Sequence, residues 1–218
     1  MSRLLFPELA PEDVAVGWLP GAPKVTTDQV LSAVARRHPM DGLNGMPGRW
    51  VFVREVLATT GAWGEQQRFD AVAVGLVPSV KHARVVYEAK ISRADWLREL
   101  RPMAEVTFHS PRGRRRLYGA QARVVLRDRR AMPEYDVVET RKWAAALAVS
   151  TEFWIAAPPR CVLPGELPPE AGLLEVRHWG PFGELRARVV RPAPVRETPN
   201  PDAGFWAAVL RRAAERKP

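Results

Sequence analysis

The sequence holds one cysteine, Cys161, in 218 residues. A single thiol excludes an internal disulfide framework and a cysteine-based zinc cluster. Set near Pro159 and Val162, Cys161 reads as an inert buried thiol. The histidines His38, His82, His109 and His178 are scattered, without zinc-ligand spacing, so no zinc site is expected. No apolar run reaches the roughly 18 residues that a membrane-spanning helix needs, so no membrane partner is expected. No GxxxxGKS/T loop occurs, which argues against ATP hydrolysis and against a nucleotide cofactor. Repeats and low-complexity tracts are also missing. The opening MSRLLFPELAPED lacks the apolar core of a signal peptide. A cytoplasmic location is expected.

What is present suits a folded chain. Hydrophobic residues make up 46% and charged residues 26%, which is globular rather than disordered composition. The length fits one domain with an added lobe. The net charge is +9, and it is unevenly placed. Residues 101–130 hold nine Arg and two acids, so +7 of the +9 sits there. Only five basic residues are Lys: Lys24, Lys81, Lys90, Lys142 and Lys217. A GC-rich coding sequence would explain Arg over Lys, but not the clustering. A cluster of one sign repels itself until counter-charge arrives, and a phosphate backbone is the usual counter-charge.

Along the chain, Thr26–Arg37 reads as a short helix capped by Thr26 or Thr27, with Val30, Leu31 and Val34 as its apolar stripe. Residues 38–48 are loop chemistry. Trp50–Thr60 is apolar almost all round, a buried helix if helical, while its β-branched content leaves a strand open. Arg68–Val74 and Ala83–Ile91 read as strands around a turn holding Pro78. On the second strand Val85, Tyr87, Ala89 and Ile91 share one face, and Val86, Glu88 and Lys90 the other. Ser92 and Asp95 open a helix over Arg93–Arg101 that Pro102 stops. Glu105–Asp128 has the pattern of a β-hairpin with PRGRRR as its arginine-loaded tip. A helix is expected over Glu139–Val149, and strands over Thr151–Ala157, Leu173–Arg177 and Glu184–Val190. A terminal amphipathic helix over Asp202–Lys217 is capped by Asp202. This divides the chain into an extension with a short helix (1–48), a core (49–190) with a basic insertion over about 102–138, and a linker with a C-terminal helix (191–218).

The segment that carries chemistry is Glu55 … Asp70 … Glu88-Ala89-Lys90. Carboxylates in apolar surroundings are costly unless compensated, and a divalent cation with oxygen ligands compensates them. Such a metal lowers the pKa of attacking water and stabilises charge on a scissile phosphate. A neighbouring Lys can orient that water or stabilise the transition state. E-x-K also arises by chance as an ordinary strand pair. Here the surroundings are apolar, an Asp lies on the preceding strand, and one of the few lysines occupies this spot.

Asp70 … Glu88-Ala89-Lys90 resembles the signature of the PD-(D/E)XK nuclease superfamily. YEAKISRADWLREL (87–100) is similar to the E-x-K-x-S-x-x-D-F/W strand-to-helix segment of phage and bacterial members, the MmcB-type DNA-repair nucleases among them. RFDAVAVG (68–75) resembles their R-x-D-A strand. EFWIAAP and GLLEV, within 150–177, resemble their later strands. The likeness covers about residues 49–177, interrupted by the basic segment. It implies a restriction-endonuclease-like α/β fold: a mixed central β-sheet flanked by helices, here with an inserted basic β-hairpin. It implies a DNA endonuclease using Mg²⁺ (or Mn²⁺), in repair, restriction or phage DNA processing. Asp70 and Glu88 would be metal ligands and Lys90 the catalytic lysine. Glu55 would be a further catalytic acid and ligand only if its segment is a helix. Phe69 stands where a Pro is common, and the gap before EFWIAAP is about twice that expected. A non-catalytic DNA-binding module keeping the same fold is the alternative, and a homodimer stays open.

The arginine segment has three readings: a solvated loop, a ribbon along DNA, or a surface for an acidic protein or RNA. On the DNA reading Arg112, Arg114, Arg115, Arg116, Arg123 and Lys142 contact phosphates or guanine edges. The composition then expresses a division of labour, in which an acidic pocket cuts and a basic arm holds. Trp96 reads as a core anchor, and Ser92 with Asp95 as a helix cap.

Overall fold

The computed structural model describes residues 24–39, 48–57, 68–80, 82–100, 103–110, 113–117, 135–140, 143–179 and 183–215. Its main element is a six-stranded sheet formed by β1 (Trp50–Leu57), β2 (Arg68–Gly75), β3 (Arg84–Ala89), β7 (Glu152–Ala157), β8 (Ala171–Trp179) and β9 (Glu184–Arg191), in that spatial order. β1, β2 and β3 form an antiparallel meander, β3, β7 and β8 run parallel, and β9 closes the far edge antiparallel to β8. The sheet is therefore mixed, as expected.

Helices cover both faces. α1 (Thr27–Ala35) begins at Thr26, whose side chain accepts from the backbone N–H of Gln29 while the Gln29 side chain accepts from the N–H of Thr26. That reciprocal pair satisfies two of the donors a helix start leaves open. Val30, Leu31 and Val34 of α1 pack on Phe52, Ala71, Ala73, Val85, Tyr87 and Trp154. On the opposite face Trp96 of α2 (Arg93–Glu99), Ala146 of α3 (Ala144–Val149) and Phe205 and Val209 of α4 (Ala203–Ala214) meet Val53, Val72, Val86, Phe153 and Ile155. Each fully buried aliphatic or aromatic side chain contributes about 1.5–3 kcal/mol. Asp202 caps α4 through the Phe205 N–H, and Arg84 ties the preceding linker to the end of α3 by donating to Thr198 Oγ1 at 2.7 Å and to Val149 O at 2.9 Å. Gly172 is required by close approach, because a Cβ there would lie 2.5 Å from the Trp154 ring and 2.6 Å from the Ala193 nitrogen.

One open reading is decided and two expectations are corrected. Segment 50–57 is strand: Val51, Val53 and Val56 find partners along β2, and β-branched residues suit that pleated surface. The helix expected from Glu139 starts at Ala144, because Glu139 and Thr140 complete a strand, β6 (Tyr135–Thr140), paired with β4 (Met103–Ser110). Arg114, Arg115 and Arg116 do not sit at a turn. They lie on β5 (Gly113–Leu117), opposite His109, Phe108 and Thr107 of β4. β5, β4 and β6 make a separate three-stranded antiparallel sheet. The return strand of the hairpin expected over Glu105–Asp128 falls, beyond Leu117, outside the described residues. So do Arg112, Arg123 and Lys142, residues 1–23 and most of the 38–48 loop.

Candidate active site

Near its start β2 breaks its alternation. Phe69, Val72 and Val74 all enter one core, whereas Ala71 and Ala73 enter the other. The same break occurs opposite, on β1, where Glu55 adopts φ 53° and both Val53 and Val56 reach the same core. The register passes from Arg54↔Ala71 to Val56↔Phe69 with no pair between Glu55 and Asp70. β2 and β3 pair as far as Ala71↔Tyr87. Beyond that, the side chain of Asp70 takes over from the ladder: its Oδ2 accepts from the Ala89 N–H at 2.7 Å. A carboxylate from β2 is thereby bonded into the middle of the Glu88-Ala89-Lys90 run. Neighbouring strands lie about 4.8 Å apart, so Asp70 and Glu88 start from adjacent backbone positions.

β3 delivers the other two groups. Val85, Tyr87 and Ala89 pack toward α1 and Val86 toward α2, so the expected alternation holds and Glu88 falls on the side of Val86. Lys90 continues the ladder, its N–H donating to Ala156 O at 2.9 Å. The Lys90 side chain is almost fully buried (4% exposed), and its ammonium donates to Glu88 Oε1 at 2.7 Å. Its second partner is Glu99 on α2, with Nζ 2.9 Å from Oε2. Burial alone would pull the Lys90 pKa down, but the charges and hydrogen bonds of Glu88 and Glu99 outweigh it and raise it. Lys90 is therefore a fixed cation.

Sequence reasoning missed Glu99. The available signal was its place three residues after Trp96, on the inward side of α2, where both are buried. α2 is held firmly. Ser92 accepts from the Asp95 N–H, and the indole N–H of Trp96 donates to Glu166 Oε2 at 2.9 Å. Arg93 makes a two-pronged ion pair with the same carboxylate. Those contacts, the Arg93 hydrogen bonds first, hold Glu166 down to about 2. Cys161 is buried, its thiol donating to Lys90 O at 3.6 Å, and burial pushes its pKa up to about 11. It stays a thiol, too poorly ionised to act as a nucleophile near neutral pH.

Glu55 stands apart. Its side chain is 60% exposed and lies 3.4 Å from Arg68 and 3.7 Å from Arg212 of α4. With no helix over 50–57, Glu55 leaves the set of candidate ligands. Asp70 and Glu88 suit a hard divalent cation in kind, since both offer carboxylate oxygens and Asp70 is oriented by a backbone N–H. Two carboxylates are enough for Mg²⁺, which keeps several waters. Among the described residues, no group of three His, Cys, Asp or Glu side chains is placed to hold a metal ion, so water or main-chain oxygens would complete the shell. Among them, too, no helix is long and apolar enough to cross a membrane. No family model matches the chain, and neither a curated protein nor a solved structure does.

Proposed function

We propose that this chain is a metal-dependent DNA endonuclease. The observation that carries the reading is a buried lysine, Lys90, fixed between two carboxylates at the end of a central strand, next to Asp70. A buried ion trio adds little to stability compared with apolar packing of the same volume. Its retention beside a third carboxylate points to chemistry, as clustered buried charges at an element end commonly do.

On this reading Asp70 and Glu88 hold Mg²⁺ or Mn²⁺. When bound, the cation lowers the pKa of water and neutralises charge on the scissile phosphate. The Asp70–Ala89 hydrogen bond fixes one carboxylate, and the sheet register fixes the other. Lys90 presents a permanent positive charge toward the phosphoryl oxygens, where negative charge grows in the transition state. The attacking water gives up a proton to solvent as its oxygen bonds to phosphorus, the phosphorus–oxygen bond to the leaving strand end breaks, and the leaving oxygen takes up a proton from solvent. The basic segment 101–130, with +7 of the net charge, supplies the hold on the DNA backbone.

The test is cleavage of supercoiled, linear, nicked, mismatched and single-stranded DNA with Mg²⁺ or Mn²⁺, against an EDTA control. Wild type should cut at least one substrate and lose that activity with EDTA, in Asp70→Asn and in Lys90→Ala. No cutting of any substrate, or undiminished cutting by Lys90→Ala, would sink the reading. DNA binding indifferent to Mg²⁺ and to Asp70, without cutting, would mark a non-catalytic DNA-binding module.

A further inference from the structure

We infer that Glu99 is the positioning residue for Lys90, the partner that keeps the ammonium in place once Glu88 turns to a cation; this rests on the endonuclease reading above. Glu88 has two demands on one carboxylate. It accepts from Lys90 Nζ at 2.7 Å, and it is the acid on β3 that faces the same site as Asp70. A carboxylate oxygen directed at a divalent cation is a weakened acceptor for a nearby ammonium. If Glu88 were the only partner, a loaded site would leave a buried lysine loosened at the moment its charge is needed. Glu99 removes that conflict. It reaches Lys90 at 2.9 Å from another element and is itself 7% exposed.

α2 is built to hold such a group still. Ser92 caps its first turn, and Trp96, fully buried, stacks on Trp143 with ring centroids 6.4 Å apart. Glu166, from the loop between β7 and β8, clamps the same helix through Arg93 and the Trp96 indole. Trp96 and Glu99 are one helical turn apart, so the clamp on one aims the other. Glu88 and Glu99 therefore differ in role although both touch Lys90. Glu88 serves the cation, and Glu99 serves the lysine.

The experiment is steady-state cleavage by wild type, Glu99→Gln, Glu99→Asp, Lys90→Met and the double variant K90M/E99Q, each titrated with Mg²⁺ and checked for folding by circular dichroism. Glu99→Gln should lower kcat by roughly 10- to 100-fold, the scale of a displaced catalytic group. Its KM for DNA and its Mg²⁺ half-saturation should stay within about twofold. Glu99→Asp should recover part of the loss. K90M/E99Q should be no slower than K90M, because residues acting through one group are not additive. A wild-type kcat in Glu99→Gln overturns the inference, and so does a further loss in the double variant. A tenfold rise in Mg²⁺ half-saturation would make Glu99 a metal ligand and overturn it too. If Glu99→Gln does not fold, Glu99→Asp is compared with wild type: a lower kcat at unchanged Mg²⁺ half-saturation supports the inference, and a wild-type kcat overturns it. Absence of cutting by wild type removes the endonuclease reading itself, and the inference with it. Activity in wild type with an unaffected Glu99→Gln removes only the inference.

Discussion

Tyr87 and Glu88 are consecutive on β3 and open onto opposite faces of the sheet, and each belongs to a buried polar group with the opposite electrical outcome. Toward α1, Tyr87 shares a 2.6 Å hydrogen bond with His38 Nε2, inside a ring of Trp50 and Phe52. His38 is 2% exposed, and burial, aided by the nearby charge of Arg37, lowers its pKa to about 3. Burial also raises the Tyr87 pKa well above its usual value. Both groups stay neutral near pH 7. Toward α2, Lys90 is equally buried, yet it stays charged. Depth of burial does not separate the two faces. What separates them is counter-charge: two carboxylates meet Lys90, whereas His38 meets a hydroxyl and a cation. That counter-charge at Lys90 is what the proposed function draws on.

The largest effect should come from breaking the charged face. Lys90→Met should reduce DNA cleavage by at least about 100-fold, the usual cost of losing a transition-state donor. It should also cost about 3 kcal/mol of stability, because Glu88 and Glu99 are left buried without their cation. His38→Phe acts on the other face and should leave cleavage within about twofold. It should cost only about 1–2 kcal/mol, chiefly from the Tyr87 hydroxyl losing a partner. Cleavage rates and urea midpoints of the two variants separate the faces. Equal cleavage loss in both would mean that the division is wrong.

A smaller effect concerns acid. The folded-state pKa of His38 lies below its unfolded value, so the unfolded chain binds the proton first. The stabilisation is therefore complete above about pH 6.5 and falls as the pH drops from there toward about 3. The slope is about 1.4 kcal/mol per pH unit. Between neutral pH and about pH 5 this single group removes about 2 kcal/mol, roughly 4–8 °C of melting temperature for a chain of this size. His38→Phe should show a visibly flatter decline over the same range. Melting curves of the two proteins that fall in parallel would take His38 out of the account.

The chemistry of β3 was legible in the chain because alternation along a strand is local. VVYEAK assigns its own faces, and the lone Lys in an apolar run stood out. Glu99 was not legible. The helical spacing from Trp96 marks an inward position, but only the crossing of α2 over the sheet decides that Glu99 reaches Lys90 rather than solvent. Segment 50–57 defeated local reading for a different reason. A continuous apolar run has no period, so helix and strand were distinguishable only by the partner, which β2 supplied. Arg114–Arg116 looked like a turn because Pro111 and Gly113 precede them. Pairing with β4 overrode that signal. His38 read as one scattered loop residue, and its burial depends on α1 bringing it over Tyr87. Local patterns revealed most of the elements and three residues of the candidate site. The contacts that hold Lys90 and neutralise His38 are tertiary.

The smallest effect sharpens the comparison by setting Glu55 against Glu99. Both are acids near β1–β3 that pair with basic residues, but Glu55 is 60% exposed and 3.4–3.7 Å from its arginines, and Glu99 is buried at 2.9 Å from one lysine. Exposed pairs of that kind are worth under about 1 kcal/mol. Glu55→Gln should therefore shift stability by no more than about 0.5 kcal/mol and leave both cleavage and the Mg²⁺ requirement unchanged. Glu55→Gly should offset part of its lost pairing, because glycine adopts the φ of 53° found there without the strain a side chain adds. A tenfold rise in Mg²⁺ half-saturation for Glu55→Gln would return Glu55 to the ligand set and would require β1 to move its carboxylate inward when the cation binds. An unchanged requirement leaves Asp70 and Glu88 as the acids that face the metal and Glu99 as the acid that faces the lysine.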